Sequence, residues 1–213
     1  MNTTYKTNLF LGITLFLFAF AFGQEPPFTF TKHLLAESIG ARSVAAADID
    51  GNGVLDVFSA STEDNSIRWF ENKNEEGFTD YTIFAHAKGA YSVTTADIDG
   101  DTDIDVLSAS SADNTIRWYE NKGVDGFTCI DAIFRNAESA SSVITANMDG
   151  DEDIDVLSAS YSDNSILWYE NDGTGKFTNE QGDYMVHIID SNAGGARAVD
   201  VAYMDGDIDI DVL

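Results

Sequence analysis

The chain has 213 residues, with 37 acidic against 11 basic side chains and a formal net charge of −26. That imbalance excludes a nucleic-acid partner, whose phosphates call for a basic face. A hydrophobic content of 44% permits a sizeable core in one or two domains, and a single cysteine excludes an internal disulfide framework.

Residues 1–23 read as a secretory signal peptide. Lys6 supplies the positive start, Leu9 to Phe22 the apolar stretch, and Ala21-Phe22-Gly23 a small-x-small cleavage site before Gln24. A membrane anchor is the competing reading, but the apolar run is shorter than the roughly 20 residues a spanning helix needs. The mature region, 24–213, is therefore expected to be secreted, extracellular or at the cell surface, with no membrane span. Gln24-Glu25-Pro26-Pro27 is a short stiff lead, and 28–36 reads as a strand.

The first repeat begins near residue 42. A short strand from Ser43 enters the loop Asp48-Ile49-Asp50-Gly51-Asn52-Gly53-Val54-Leu55-Asp56. Asp56 to Ser61 is the next strand, and Glu63-Asp64-Asn65 is a turn whose side chains cap their own backbone. Ile67-Arg68-Trp69-Phe70-Glu71-Asn72 alternates and is rich in β-formers, so it is a third strand; Phe78 to Ala85 is a fourth. The second repeat carries the loop Asp97 to Asp105, then Ile116-Arg117-Trp118-Tyr119-Glu120-Asn121 and a strand from Phe127 to Phe134. Cys129 sits in that apolar run and is expected to be a buried thiol. The third repeat carries the loop Asn147 to Asp155 and Ile166-Leu167-Trp168-Tyr169-Glu170-Asn171, and its last strand, Tyr184 to Ile189, is delayed by the insert Asn179 to Asp183. A fourth loop follows Tyr203, and the chain stops at Leu213.

No segment has a helical period. Four short strands per roughly 50 residues is the arithmetic of a β-propeller blade. The fold class is thus all-β, with blades of four antiparallel strands near 42–90, 91–140 and 141–197, and part of a fourth at 198–213. The lead strand at 28–36 matches the fourth strand of each repeat and would complete the closing blade of a ring. Three complete units make an incomplete propeller: a truncated or fragmentary chain, or alternatively an open arc or a ring assembled from several copies. Ser59-Ala60, Ser108-Ala109 and Ser158-Ala159 are small enough to let blades approach closely, and the tryptophans recur at blade spacing as core residues.

The loop starts lie 49, 50 and 56 residues apart, and sixteen of the 37 carboxylates are Asp residues inside these four loops. Carboxylates that close repel one another unless a cation sits among them, and oxygen ligands at alternating positions suit calcium best. A solvated acidic surface is the bland alternative. The candidate ligands are Asp48, Asp50, Asn52, the Val54 carbonyl and Asp56; then Asp97, Asp99, Asp101, Asp103 (through its carbonyl) and Asp105; then Asn147, Asp149, Asp151, Asp153 and Asp155. The fourth set, Asp205, Asp207, Asp209 and Asp211, is weaker because Tyr203 stands where the first ligand belongs. An EF-hand is excluded: its twelfth position calls for Glu, where Ser59, Ser108 and Ser158 stand, and strands rather than helices flank the loops. Magnesium is disfavoured because it keeps more water and takes fewer protein ligands.

The Asp-x-Asp-Gly-Asp/Asn loop, the Asp-Val-Leu/Phe-Ser-Ala-Ser strand and the Ile-x-Trp-Tyr/Phe-Glu-Asn strand resemble the FG-GAP and VCBS repeat families, the calcium-loop propellers related to the N-terminal region of integrin α-subunits. The resemblance covers roughly residues 28 to 213. It implies a ring of about seven blades, structural Ca2+ in the loops, and a role in adhesion or binding.

No catalytic constellation stands out. His33, His86 and His187 fall at non-equivalent positions of fourth strands, and no nucleophile elbow, phosphate loop or zinc spacing occurs. The expected function is a non-enzymatic, secreted, calcium-stabilised module that binds a glycan or an extracellular protein. The alternative is the propeller part of a polysaccharide-degrading enzyme whose chemistry lies in sequence not present here.

Overall fold

A computed structural model describes residues 32, 34–36, 40–205, 207 and 209–213. The chain divides into Met1–Leu34 and Leu35–Leu213, and the strands belong to the second unit. The signal peptide, most of the expected lead strand and His33 lie outside the described residues.

Three four-stranded antiparallel sheets follow one another along the chain. Blade A is β1 (Ala41–Ala47), β2 (Asp56–Ser61), β3 (Ser66–Asn72) and β4 (Phe78–Phe84), paired in that order. Blade B is β5 (Ala90–Ala96), β6 (Asp105–Ser110), β7 (Thr115–Asn121) and β8 (Phe127–Phe134). Blade C is β9 (Ala140–Ala146), β10 (Asp155–Ser160), β11 (Ser165–Tyr169) and β12 (Val186–Asp190). A two-stranded sheet, β13 (Val201–Ala202) with β14 (Asp211–Val212), begins a fourth unit. The described residues contain no α-helix.

Turn chemistry sets the meander. Asn65, Asn114 and Asn164 adopt φ of 57°, 58° and 58° between second and third strands, a left-handed conformation that Asn tolerates better than most residues. Asp64 and Asp163 each accept the N–H two residues on, fixing the turn before it. The insert in blade C makes its own small hairpin: Thr178 bridges Tyr184, and the Asn179 N–H donates to the Asp183 carbonyl. β12 consequently starts late.

The core lies between blades. Ala60, Ala109 and Ala159 are fully buried, which lets sheets stack face to face. Tyr119 of blade B packs on Phe84 of blade A with ring centroids 5.5 Å apart; Tyr169 repeats the contact on Phe134 at 5.2 Å. First strands of successive blades stand side by side: the Val93 N–H donates to Ser43 Oγ, and the Val143 N–H to Ser92 Oγ. Each tryptophan also packs within or between blades. Phe127 meets Trp69 edge-on at 6.0 Å, and Gly175 stands so close to the benzo end of Trp118 that a Cβ there would collide with it.

Two expectations are corrected. Cys129 is exposed rather than buried, because β8 is an outermost strand and the residue points away from the face that packs Ile130 into the core. His86 lies in the loop after β4, not within the strand. The Phe84 ring meets it edge-on.

Candidate metal centre

Antiparallel pairing puts both ends of each blade to different use. At one end, the turns between second and third strands contact the loops that lead to the next blade: the Asn65, Asn114 and Asn164 side chains accept from Gly89, Ser139 and Gly195 N–H groups. At the other end lie the acidic loops between first and second strands, beside the turns between third and fourth strands.

Each acidic loop is a ladder of side-chain-to-backbone bonds. In blade B, Asp97 accepts from Gly100 and Thr102, Asp99 from Asp101, and Asp101 from Asp103. In blade C, Asn147 accepts from Gly150, Asp149 from Asp151, and Asp151 from Asp153. In blade A, Asp48 accepts from Gly53 and Asp50 from both nitrogens of Asn52, while Asn52 Oδ1 takes the Val54 N–H. The fourth loop keeps the pattern in part: Asp205 accepts from Asp207, Asp207 from Asp209, and Asp211 from Met204. Thr102 and Glu152 hold φ of 79° and 81° where blade A has Gly53, a strained conformation for a side chain with a Cβ.

The last aspartate of each loop is the anchor. Asp56, Asp105 and Asp155 are fully buried at the start of a second strand. Both oxygens of each are used: one takes the N–H of the loop's second residue (Ile49, Ile98, Met148), the other that of an Asn at or just past the end of the third strand (Asn72, Asn121, Asn171). The indole N–H groups of Trp69 and Trp118 sit beside Asp56 and Asp105 and help to hold their charge, short of full hydrogen-bond geometry. Burial still dominates. It raises all three carboxyl pKa values, that of Asp105 up to about 7.

Asp97, Asp99 and Asp105 each bring one carboxylate oxygen within 4.8 Å of the others. Asp48, Asp50 and Asp56 do not converge this closely among the described residues. Asp101 is not one of the three, and it accepts the Asp103 N–H. The Asp103 and Asp153 carboxylates lie near Gly123 and Gly173, in the β7–β8 and β11–β12 connections. Blade A has a different signature: Asp48 Oδ1 is buried and has no hydrogen-bond partner. Every donor in these loops is oxygen, the set that hard divalent cations take.

Two groups of residues escaped the reading of the sequence. Glu120 is buried beside Asp99 and raises its pKa after burial itself, and Glu170 acts more weakly on Asp149. Lys122 and His187 pair with these glutamates from outside. Asn121 and Asn171 reach the backbone of the preceding blade. The recurring Glu-Asn at the end of each third strand was the available signal.

A sequence profile described as FG-GAP-like repeat matches residues 48–108, 97–158 and 147–213. The chain belongs to the FG-GAP-like repeat family. Each match runs from one acidic loop through the next, so successive matches overlap at the loop they share. No curated protein matches this FG-GAP-like chain. Among solved structures it is similar to a lectin of Agrocybe aegerita described as specifically recognising non-reducing terminal N-acetylglucosamine; identity is 15% and the TM-score 0.53. The match covers 79% of this chain and 46% of the lectin's, so the FG-GAP-like chain spans less than half of that relative's length. At this identity the likeness is one of fold.

Proposed function

We propose that this FG-GAP-like repeat protein is a secreted, calcium-stabilised binding module for a glycan or an extracellular protein. The observation that carries the reading is the convergence of Asp97, Asp99 and Asp105 in a loop whose other donors are also oxygen atoms. Calcium would be held by these carboxylates and, in the neighbouring loops, by Asp48, Asp50, Asn52, Asp56, Asn147, Asp149, Asp151 and Asp155. The ion would supply charge neutralisation, and its binding energy would become folding energy. Extracellular calcium modules work with affinities as weak as roughly 10⁻⁴ to 10⁻³ M.

The ligand-binding surface in this reading is the end of the blades away from the acidic loops. Tyr161 is 45% exposed there, with the Arg197 guanidinium 4.6 Å from its ring centre, and Arg42 covers Tyr91 at 5.4 Å. Exposed aromatic faces beside cationic groups suit sugar rings and acidic surfaces alike. The glycan option draws its support from the lectin of like fold. A glycan array containing terminal N-acetylglucosamine tests it, run beside an assay for oligosaccharide release. Calcium-dependent retention without release is expected; release by the purified chain would overturn the binding reading in favour of the enzyme alternative. For the metal, chelation should lower the melting temperature by several degrees, and an unchanged midpoint would count against structural calcium.

A further inference from the structure

We infer that the acidic loops bind calcium cooperatively, coupled from blade to blade through Asn121 and Asn171; this rests on the calcium reading above. The path is a continuous run of hydrogen bonds between the buried carboxylates of successive loops. It starts at Asp56, whose Oδ2 accepts the Ile49 N–H at 3.4 Å. The carbonyl of Ile49 accepts Asn121 Nδ2 from the next blade at 3.0 Å. The backbone N–H of Asn121 donates to Asp105 Oδ1 at 2.8 Å. Asp105 then repeats the role of Asp56: its Oδ2 takes the Ile98 N–H at 3.2 Å, and the Ile98 carbonyl takes Asn171 Nδ2 at 2.7 Å. Asn171 in turn donates its N–H to Asp155 Oδ1 at 2.9 Å.

Each Asn also uses Nδ2 to hold a carbonyl of its own loop, Ile104 or Ile154, so it clamps two loops at once. Every link is inside the protein: Ile49, Ile98, Asn121 and Asn171 are at most 6% exposed, and the three aspartates are fully buried. Water therefore does not stand in for a lost link. A second contact runs parallel to the path, where Gly100 of one loop faces the Gly173 carbonyl of the next blade.

The coupling follows from where the clamp acts. A loop must hold its second residue in place for its first, third and ninth positions to converge on one ion. In loops A and B that residue's carbonyl is held by the next blade's Asn. That Asn is in turn ordered by the ninth-position aspartate of its own loop. An ion that fixes Asp105 fixes Asn121, which fixes Ile49 and shapes the loop of blade A. The same chain carries order from blade C to blade B. A site whose neighbour is already ordered loses less conformational freedom on binding, and the effect is reciprocal.

The test is calcium titration of the intact chain by calorimetry, with tryptophan-sensitised terbium emission as a second readout. The expected wild-type isotherm is steeper than independent sites allow. Asp149→Ala removes a carboxylate at an exposed position of loop C, and is expected to weaken the remaining sites about fivefold or more. In an Asn171→Ala background that loss in the remaining sites should shrink, giving a double-mutant coupling. Circular dichroism separates loss of coupling from loss of fold; if Asn171→Ala does not fold, Asp149→Ala alone decides. A non-cooperative isotherm in which Asp149→Ala removes one site and leaves the others unchanged would overturn the coupling and leave the calcium reading standing. Absence of any calcium isotherm would overturn both.

Discussion

Phe70 stands where the other two blades have Tyr119 and Tyr169, and the difference is felt by a serine. In blades B and C the tyrosine hydroxyl bonds Ser108 at 3.0 Å and Ser158 at 2.9 Å, both buried. In blade A, Ser59 Oγ is buried with no hydrogen-bond partner. Phe70→Tyr should restore the pair and raise stability by about 1 kcal/mol, read as a shift of the urea midpoint without change of slope. Asp105 gives a second prediction at this scale. Burial, offset in part by Asn121, Ile98 and Trp118, pushes its carboxyl up to about 7 from 3.8. Between those values the metal-free folded protein holds more protons than the unfolded chain. Its stability therefore falls as pH rises through that window. Metal-stripped protein should melt at higher temperature near pH 5 than near pH 7.5, and a flat profile would argue against a charged, buried Asp105.

At the scale of the element, the third strand of each blade does the most. Its tryptophan receives the neighbouring blade, its Tyr or Phe fills the core, and its terminal Asn closes the acidic loop. The third-strand tryptophan of blade B illustrates how tight the fit is. Gly175 has φ 72°, and a Cβ there would lie 2.3 Å from the Trp118 ring. Gly175→Ala should cost about 1–3 kcal/mol through strain and overpacking, with a matching change in tryptophan emission. The outer strands show the reverse. Their solvent face is where Cys129 lies, so an apolar run in β8 did not mean that every member was covered. His187 of β12 is likewise at the surface, stacked on Trp168 with ring centroids 4.2 Å apart and paired with Glu170. The surface ion pairs contribute little to stability by themselves.

For the whole molecule, the net charge of −26 sets a general self-repulsion on which the loops are superimposed. Two ion effects are therefore separable. Sodium chloride near 0.15 M should raise the melting temperature of the metal-free protein modestly by screening. Calcium far below that ionic strength should raise it more, because only an ion bound at the converging carboxylates is linked to folding directly. If sodium chloride at matched ionic strength reproduces the calcium shift, the loops hold no specific ion.

The sequence by itself determined the blades. Alternation, turn residues and a fifty-residue period are local properties, and they located the strands of blade A, and β7, β8, β11 and β12, to within about two residues. It also placed the loops and their order of donors, since Asp at alternating positions is visible without coordinates. What only the tertiary structure decided is which donors meet, and what lies behind them. Asp101 is not among the three carboxylates that converge, and the Asp103 carboxylate lies near Gly123 in the next turn. Asn121 and Asn171 meet partners 72 and 73 residues away, at Ile49 and Ile98. No repeat period reveals such a contact, because it depends on how one blade is set against the next. The physical reason is that strand formation is governed by neighbours in sequence, whereas convergence and coupling are governed by packing between sheets.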